Sequence, residues 1–480
     1  MQAFSNILNL IDNAMWGAPL MILILAGGIL LTIRIGVLQF RKLPLALKWM
    51  VKNEESGHGE VSSFAALCTA LSATIGTGNI VGVATAVCAG GPGALFWMLI
   101  AAFFGMATKY AEGLLAIKYR TVDHDGHVLG GPFYYIEKGM GPKFKWLAKM
   151  FALFGCLAGL MGIGTITQIN GITSVIGVFF DPNDAHVVTI PGIGSYSIAV
   201  IIGAIVITAC VALVIIGGIQ RISGVAQIIV PFMAIIYIVF CVILLVNNAS
   251  AIPGAIGDIV KGAFCPSAIA GGVAGTFLVA MHNGVARGIF SNEAGLGSAP
   301  IAAAAAQTQE PVRQGLVSMT GTFIDTIVIC TMTGLSLVIT GAWKIDGLEG
   351  VEVTSYAFQS GMPFPAGVSS CILMLCLIFF AFTTILGWNY YSERCLEYLT
   401  GDSKHKLVKA FRWVYIFVVF IGPFLTVSAV WTIADIFNGL MALPNMIALF
   451  ALSGVVAYET KDFFKRYKQQ TKAKKDTKQK

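Results

Sequence analysis

Residues 71–82 read Leu71-Ser72-Ala73-Thr74-Ile75-Gly76-Thr77-Gly78-Asn79-Ile80-Val81-Gly82. They lie inside the run 61–108, which contains no Asp, Glu, Lys or Arg and is long enough for two membrane spans of about 20 residues each. Two glycines flank a threonine here, with further hydroxyl and amide side chains nearby. A membrane interior tolerates irregular backbone only where protein encloses it or it lines a cavity. The pattern therefore predicts a helix that is deliberately unwound at its centre.

The predicted break offers two kinds of ligand side by side. The first half-helix would end with unpaired carbonyl groups near residues 72–75, and carbonyl and hydroxyl oxygens suit a hard cation such as sodium. The second half-helix would begin with free N–H groups near residues 77–79, which suit a carboxylate. Close helix packing stays an alternative, because Gly78 and Gly82 also fit the spacing of small-residue packing motifs.

The composition of the chain is that of a membrane protein. Of 480 residues, 56% are hydrophobic, 11% are charged and 54 are glycine. So few charges exclude a soluble enzyme, a disordered chain and a nucleic-acid-binding protein. Frequent glycine is typical of tightly packed membrane helices. We therefore expect an all-α polytopic protein of the cell (plasma) membrane.

Stretches with little or no charge predict eleven transmembrane helices, two of them within 61–108. The remaining nine stretches are 15–33, 150–180, 185–220, 222–257, 262–286, 314–343, 353–392, 413–434 and 436–458. With the N-terminus outside, only Lys261 and Lys344 of the 31 basic residues fall outside. The positive-inside rule therefore predicts an external N-terminus and a cytoplasmic C-terminus. The net charge of +7 is then explained by topology and by contact with anionic lipid, with no role for nucleic acid.

The two halves of the chain are expected to form an inverted repeat, which would place a second break in the matching span of the other half. Five spans after the first break the sequence reads His282-Asn283-Gly284, which predicts that break. The resulting organisation is a single transmembrane domain with a basic cytoplasmic tail, of which we expect the last ten residues, 471–480, to be disordered. Its boundaries are 1–460 for the domain, 15–36 for an extra N-terminal helix, 61–246 and 262–459 for the two repeats, and 461–480 for the tail.

Several polar side chains inside the predicted spans are candidate ligands. Asp325 is the one carboxylate in the middle of the eighth span, and an intramembrane acid favours ion coordination or gating over a purely structural role. Thr383 and Thr384 could complete a cation site or bond back to their own helix. Gln168 is a buried amide that needs a partner. Trp388 either walls a small pocket or anchors at the membrane interface.

Neither catalysis nor nucleotide use has support in the sequence. His282 is the only histidine within a predicted membrane core, and no G-x-x-x-x-G-K-[ST] loop occurs. Glu293, which lies towards the predicted cytoplasmic side, would form ion pairs or a gate. We therefore expect a protein that is not an enzyme and has no cofactor or nucleotide partner.

The motifs of the chain resemble those of the alanine/glycine:cation symporter family, the sodium–alanine symporters. The segments that carry the resemblance are Thr74-Ile75-Gly76-Thr77-Gly78-Asn79-Ile80-Val81-Gly82-Val83-Ala84, Gly105-Met106-Ala107-Thr108-Lys109-Tyr110-Ala111-Glu112, Ser291-Asn292-Glu293-Ala294-Gly295-Leu296-Gly297-Ser298, Gly321-Thr322-Phe323-Ile324-Asp325-Thr326 and Tyr390-Tyr391-Ser392-Glu393-Arg394-Cys395. The resemblance implies the five-plus-five inverted-repeat fold of the amino acid/sodium symporter superfamily, with one extra N-terminal helix.

The resemblance also implies how substrate is bound. Thr77 and Gly78 would hold the carboxylate of the substrate. Gln168, Asn283 and Trp388 would shape the pocket around it.

Sodium ligands are implied by analogy with the wider superfamily. One ion would use Thr74 and Asn79, and Asp325, as an intramembrane acid, is a further candidate sodium ligand. The ligands of the other ion would be Ser72, Ile75, Thr383 and Thr384. Proton-coupled relatives carry a lysine in the helix that matches 222–246, and its absence here favours sodium.

These features together predict a secondary active transporter. Sodium influx would drive uptake of a small neutral amino acid, alanine and also glycine, by alternating access. A proton-coupled transporter and an uncoupled facilitator for small amino acids are the alternatives.

Overall fold

The computed structural model describes residues 8, 11, 15–52, 57, 59–122, 127–181, 185–190, 194–264, 273–401, 406–425 and 427–478. Within them the chain is almost entirely helical. The helices are α1 (Ala18–Arg34), α2 (Leu38–Arg41), α3 (Leu43–Val51), α4 (Ser63–Thr74), α5 (Val81–Gly90), α6 (Gly93–Tyr119), α7 (Pro132–Tyr134), α8 (Lys145–Met161), α9 (Ile166–Phe180), α10 (Ile198–Ile215), α11 (Gly218–Asn247), α12 (Ile252–Phe264), α13 (Val273–Asn292), α14 (Ala299–Ala304), α15 (Pro311–Thr322), α16 (Thr331–Thr340), α17 (Val351–Gly361), α18 (Ala366–Thr400), α19 (Lys406–Ile421) and α20 (Val427–Lys478).

Short elements connect or interrupt these helices. Two antiparallel hairpins pair β1 (Thr121–Val122) with β2 (Val128–Leu129) and β3 (Val187–Ile190) with β4 (Gly194–Ser197). Single 3₁₀ turns are Thr77–Asn79, Pro142–Phe144, Ala249–Ala251, Ala342–Lys344 and Gly422–Phe424. Two π-helical segments are Tyr135–Gly139 and Phe323–Cys330.

The helices confirm an all-α polytopic membrane fold. Among the described residues, eight helical stretches are long and apolar enough to cross a membrane, or nine if the bent pair Ser63–Thr74 and Thr77–Gly90 counts as one span. The eight are Gly93–Tyr119, Pro142–Phe180, Ile198–Ile215, Gly218–Asn247, Pro311–Thr340, Ala366–Thr400, Lys406–Phe424 and Thr432–Thr471. The extra N-terminal helix is α1, which is apolar but has 17 residues. The count of eleven spans stays a prediction.

Helix α6 lies at the centre of the packing. Every residue from 105 to 117 is buried, and the helix packs against α1, α12, α13, α14 and α15. Small residues permit this close approach, because a Cβ on Gly284 of α13 would overlap the carbonyl oxygen of Ala94 of α6. Gly284 therefore serves as a contact between two helices.

The predicted break at His282-Asn283-Gly284 is wrong. Helix α13 runs unbroken through these residues to Asn292, and the interruption lies at 293–298, before α14. Here Glu293, Gly295 and Gly297 have φ values of 55°, 92° and 81°. Two glycines supply left-handed backbone without strain, which ends α13 at this point.

The described part of the basic tail is also helical. Helix α20 continues through the tail as far as Lys478, so the expectation of disorder is wrong for 471–478.

A cluster of four charged side chains joins the start of α4 to the end of α18. His127, next to β2, bonds Glu60 through Nδ1 (2.9 Å) and Glu397 through Nε2 (3.1 Å). Arg394 contacts the second oxygens of the same two carboxylates, at 3.3 Å and 2.8 Å respectively. Hydrogen bonds to Glu397 and then Glu60 raise the pKa of His127 to about 9 from its ordinary value of 6.5.

This cluster predicts a loss of stability at high pH. A raised histidine pKa stabilises the fold fully below pH 6.5, and the contribution disappears as the pH rises through about 9. We expect the melting temperature of the purified wild type to fall between pH 7 and pH 9.5 more steeply than that of His127→Gln. His186→Gln, which changes a largely exposed imidazole, is the control and is expected to follow the wild type. Parallel pH profiles for wild type and His127→Gln would contradict this interpretation.

Candidate transport site

The first predicted break is confirmed between α4 and the turn Thr77–Asn79. The two half-helices, Ser63–Thr74 and Thr77–Gly90, are bent by 63°. Ser62 caps the start of α4 by accepting the N–H of Ala65 at 3.1 Å. At the break the Asn79 side chain accepts the N–H of Gly76 at 2.9 Å, which gives this backbone donor a partner inside the protein.

Three of the predicted substrate residues come together at the break. The Thr77 N–H lies 3.4 Å from the side-chain oxygen of Gln168, whose own amide donates to the Ile163 carbonyl at 3.0 Å. The buried Thr77 hydroxyl has no hydrogen-bond partner among the described residues. Gly78 lies against Phe290, whose ring comes within 3.6 Å of where a Cβ would stand. The break thus presents a hydroxyl and an amide in a buried setting.

Trp388, the fourth predicted substrate residue, is fully buried and joins two interrupted spans. Its indole N–H donates to Glu293 at 3.0 Å, and Ser298 donates to the second Glu293 oxygen at 2.5 Å. The Cβ of Trp388 is 2.5 Å from the position of a Cβ on Gly164, where α8 and α9 are interrupted. Glu293 is buried at the second break and forms no ion pair with a described residue, so the expected ion pairs are not found there, and the expected gate stays a prediction.

Asn283, the fifth predicted substrate residue, lies apart from the other four. Its amide bonds its own helix at the Val279 carbonyl (2.9 Å), and its side chain lines a separate cavity of about 110 Å³ with Arg287 and Phe290. Ser291, two turns further along α13, reaches the first break in its place.

Asp325 is the centre of one group of candidate cation ligands. It is fully buried in the π-helical segment Phe323–Cys330. One oxygen accepts from the Asn79 amide at 2.7 Å, and the other accepts from Ser291 at 2.9 Å and from Thr326 at 2.8 Å. No described basic side chain lies within ion-pair distance of Asp325, so its charge is balanced only by these dipoles and by more distant charges.

Ile75 and Thr384 form a second group on the other side of the break. The Thr384 hydroxyl is 3.3 Å from the Ile75 carbonyl oxygen and also bonds its own helix at the Phe380 carbonyl (3.0 Å). Thr383 bonds the same Phe380 carbonyl at 3.0 Å. Ser72 bonds the Thr69 carbonyl at 2.7 Å, and its hydroxyl lies 2.7 Å from where a Cβ on Gly387 of α18 would stand. Ser72, Ile75 and Thr384 thus lie where α4 meets α18.

Thr74 belongs to neither group. Its hydroxyl bonds the carbonyls of Ala70 and Leu71 at 3.3 Å, and its side chain lines a small cavity with the buried ammonium of Lys109. A fixed positive charge beside Thr74 disfavours a sodium ion there. Within the described ranges, no group of three or more His, Cys, Asp or Glu side chains is arranged to hold a metal ion.

Comparisons with known proteins identify the family. Residues 1–479 match the sequence model of the Sodium:alanine symporter family. The chain belongs to this family. It is 54% identical over 464 residues to an uncharacterised transporter of Haemophilus influenzae, covering 96% of this chain and 97% of that protein. It is 46% identical over 467 residues to the sodium/alanine symporter AgcS of Methanococcus maripaludis, with 96% and 97% covered. A probable sodium/glutamine symporter, GlnT of Bacillus subtilis, is 34% identical over 476 residues, with 99% and 93% covered.

As a member of the sodium:alanine symporter family, the chain is a transporter and not an enzyme. Two buried charges in its core were missed from the sequence. Glu112 accepts the Gly295 N–H at 3.2 Å and the Asn445 amide at 2.7 Å, so a side chain occupies the second break. The Lys109 ammonium interacts electrostatically with Glu112, Glu293 and Asp325. The sequence did contain a signal for these two buried charges, because Lys109 and Glu112 stand three residues apart directly after the charge-free run 61–108.

The bond between Trp388 and Glu293 predicts a specific loss of stability. Glu293→Ala leaves a buried indole N–H without an acceptor, which costs about 1–3 kcal/mol of unfolding free energy. Glu293→Gln keeps an acceptor oxygen for Trp388 and is expected to lose less. The measurement is thermal unfolding of the purified protein in detergent. In a Trp388→Phe background the difference between the alanine and glutamine variants should shrink, and an undiminished difference there would show that the bond is not its cause.

Proposed function

We propose that the protein couples sodium influx to the uptake of alanine, and of similarly small neutral amino acids such as glycine, by alternating access. The observation that carries the proposal is the first break. It places the Thr77 N–H and hydroxyl, a candidate carboxylate site, between the Asp325 group and the Ile75–Thr384 group. The family description and the name of the AgcS relative support sodium and alanine as the two solutes.

The substrate carboxylate is assigned to Thr77 and Gly78. The donors at the second break are already engaged by Glu112, whereas the Thr77 hydroxyl is buried without a described partner. A carboxylate at Thr77 would give that hydroxyl an acceptor and would lie at the N-terminal end of the second half-helix, where the dipole favours negative charge. Gln168 and Trp388 would complete the pocket.

Sodium is assigned to the two oxygen groups that flank the break. Ile75, Thr384 and Ser72 supply neutral oxygens where α4 meets α18. Thr383 is assigned to the same group from the sequence, although its hydroxyl lies 3.6 Å from Sδ of Met233 on α11. The second group is Asn79 and Asp325, with Ser291 added. A sodium ion near Asp325 would supply the positive charge that this buried carboxylate lacks at close range.

Sharing one break couples the two solutes. Sodium and alanine would both bind the short turn Thr77–Asn79 and its flanks, so each stabilises the backbone arrangement that the other needs. A charge that crosses about 100 mV supplies roughly 2.3 kcal/mol. That energy supports roughly 50-fold accumulation, before the sodium gradient is added.

The five-plus-five repeat supports alternating access. The predicted repeats, 61–246 and 262–459, each begin with an interrupted helix, α4–α5 in one and α13–α14 in the other. We assign the N-terminus to the outside and the C-terminus to the cytoplasm from the distribution of basic residues.

Uptake into proteoliposomes tests the proposed function. We expect labelled alanine to accumulate above equilibrium with an inward sodium gradient and to stop accumulating when potassium replaces sodium. A relative from Bacillus subtilis is named a putative sodium/proton-dependent alanine carrier, so an inward proton gradient without sodium forms a separate arm. Accumulation driven by protons alone, or equilibration that ignores both gradients, would contradict sodium symport.

Thr77→Val tests the place of the carboxylate. The valine is nearly the same shape but lacks the hydroxyl, so we expect the KM for alanine to rise about tenfold, the equivalent of about 1.4 kcal/mol. Thr85→Val is the matched control, because Thr85 lies on the same broken span and bonds the Val81 carbonyl at 2.9 Å, away from the break. An unchanged KM in Thr77→Val would move the carboxylate site elsewhere.

A further inference from the structure

A second polar cavity adjoins the first break. It has a volume of about 110 Å³, and its lining includes Trp16, Asn283, Arg287, Phe290 and Asp435. It lies between α13, α20 and the residues that precede α1. The predicted topology places Trp16 and Asp435 at the external ends of their spans. Because α13 continues to Asn292, Arg287 lies before the second break on this same side, and not inside as the count of basic residues had it. The cavity therefore lies where a solute would arrive before it reaches Gly78.

Arg287 brings a positive charge to this cavity. Its guanidinium lies 5.8 Å from the centre of the Phe290 ring. Among the residues that the structure describes, it makes no side-chain hydrogen bond and no ion pair. A half-buried guanidinium offers several donors in a planar fork that matches the geometry of a carboxylate.

The opposite charge is supplied by Asp435 of α20. This residue also lines the cavity, and its backbone carbonyl accepts the indole N–H of Trp16 at 2.6 Å, which fixes this part of α20 against the start of the chain. A cavity with a guanidinium and a carboxylate in its walls suits a ligand that carries both charges, as a free amino acid does at neutral pH.

The size of the cavity suits a small amino acid. A water molecule needs about 10–15 Å³ by the same measure, so 110 Å³ holds several waters or a ligand with as few heavy atoms as alanine. A long side chain would have to extend out of it.

Phe290 separates this cavity from the break. Its ring lines the cavity on one side and lies within 3.6 Å of the Cβ position of Gly78 on the other. The side chain of Phe290 therefore lies between the cavity and the Gly78 backbone.

We propose that the cavity is an external binding site for zwitterionic small amino acids, occupied before the substrate passes Phe290 to the break. Arg287 binds the carboxylate, Asp435 faces the ammonium group and Asn283 lines the site. This proposal rests on the proposed function. It gives Asn283 a role in substrate capture outside the central pocket.

The first test compares charge removal at two positions, one that lines the cavity and one outside it. Arg287→Met is expected to raise the KM for sodium-driven alanine uptake about tenfold, with a smaller change in the maximal rate. Arg287→Lys keeps the charge and is expected to recover part of the loss. Lys261→Met is the matched control, since Lys261 is exposed on α12 and does not line the cavity. A wild-type KM in Arg287→Met would overturn the proposal.

The second test measures binding without transport. In Thr77→Val, whose central site is weakened, we expect weak binding of labelled alanine to the purified protein to remain at millimolar concentration. The additional change Arg287→Met should weaken this binding at least tenfold further, and an alanine affinity in the double variant equal to that of Thr77→Val would overturn the external site. Failure of the proposed function is seen separately, as a wild type that takes up no alanine, and that result would overturn both proposals.

Discussion

A helix that is interrupted inside a membrane leaves backbone groups that water cannot satisfy, and the side chain of Asn79 meets this requirement at the first break. Its oxygen accepts the Gly76 N–H, its amide donates to Asp325, and its backbone carbonyl accepts the Thr333 hydroxyl at 2.8 Å. One residue therefore holds the unwound turn, orients the buried carboxylate and attaches both to α16. The candidate substrate and cation groups depend on this geometry, because each of them borders the turn that Asn79 holds.

The two breaks are chemically unequal. The second break is closed by the protein's own side chains, with Glu112 on the Gly295 N–H and Glu293 between Ser298 and Trp388. At the first break, no described side chain forms a hydrogen bond with the buried Thr77 hydroxyl. This difference explains why a repeat fold with two interrupted helices would present one central site for a carboxylate. Trp388 connects the two breaks, because it bonds Glu293 at the second break and contacts the interrupted span that carries Gln168, the partner of Thr77 at the first.

The sequence was sufficient for the features that depend on local chemistry. Glycine, hydroxyl and amide residues within an uncharged run predicted the first break, and the chain does unwind between Thr74 and Thr77. The second break was misplaced because Gly284 carries the same local signal but is needed for packing against α6. Only the tertiary structure distinguishes these two uses of a glycine. The partners of Asp325 could not be assigned for the same reason, since Ser291 comes from a different helix.

Equilibrium binding of alanine to the purified protein, measured by calorimetry in sodium and in potassium, tests the central claim that one break binds both solutes. We expect sodium to tighten alanine binding tenfold or more, alanine to tighten sodium binding by the same factor, and Asp325→Asn to reduce this coupling. Equal alanine affinity in sodium and potassium for the wild type would show that the two solutes do not share the break, because solutes that share it cannot bind it independently.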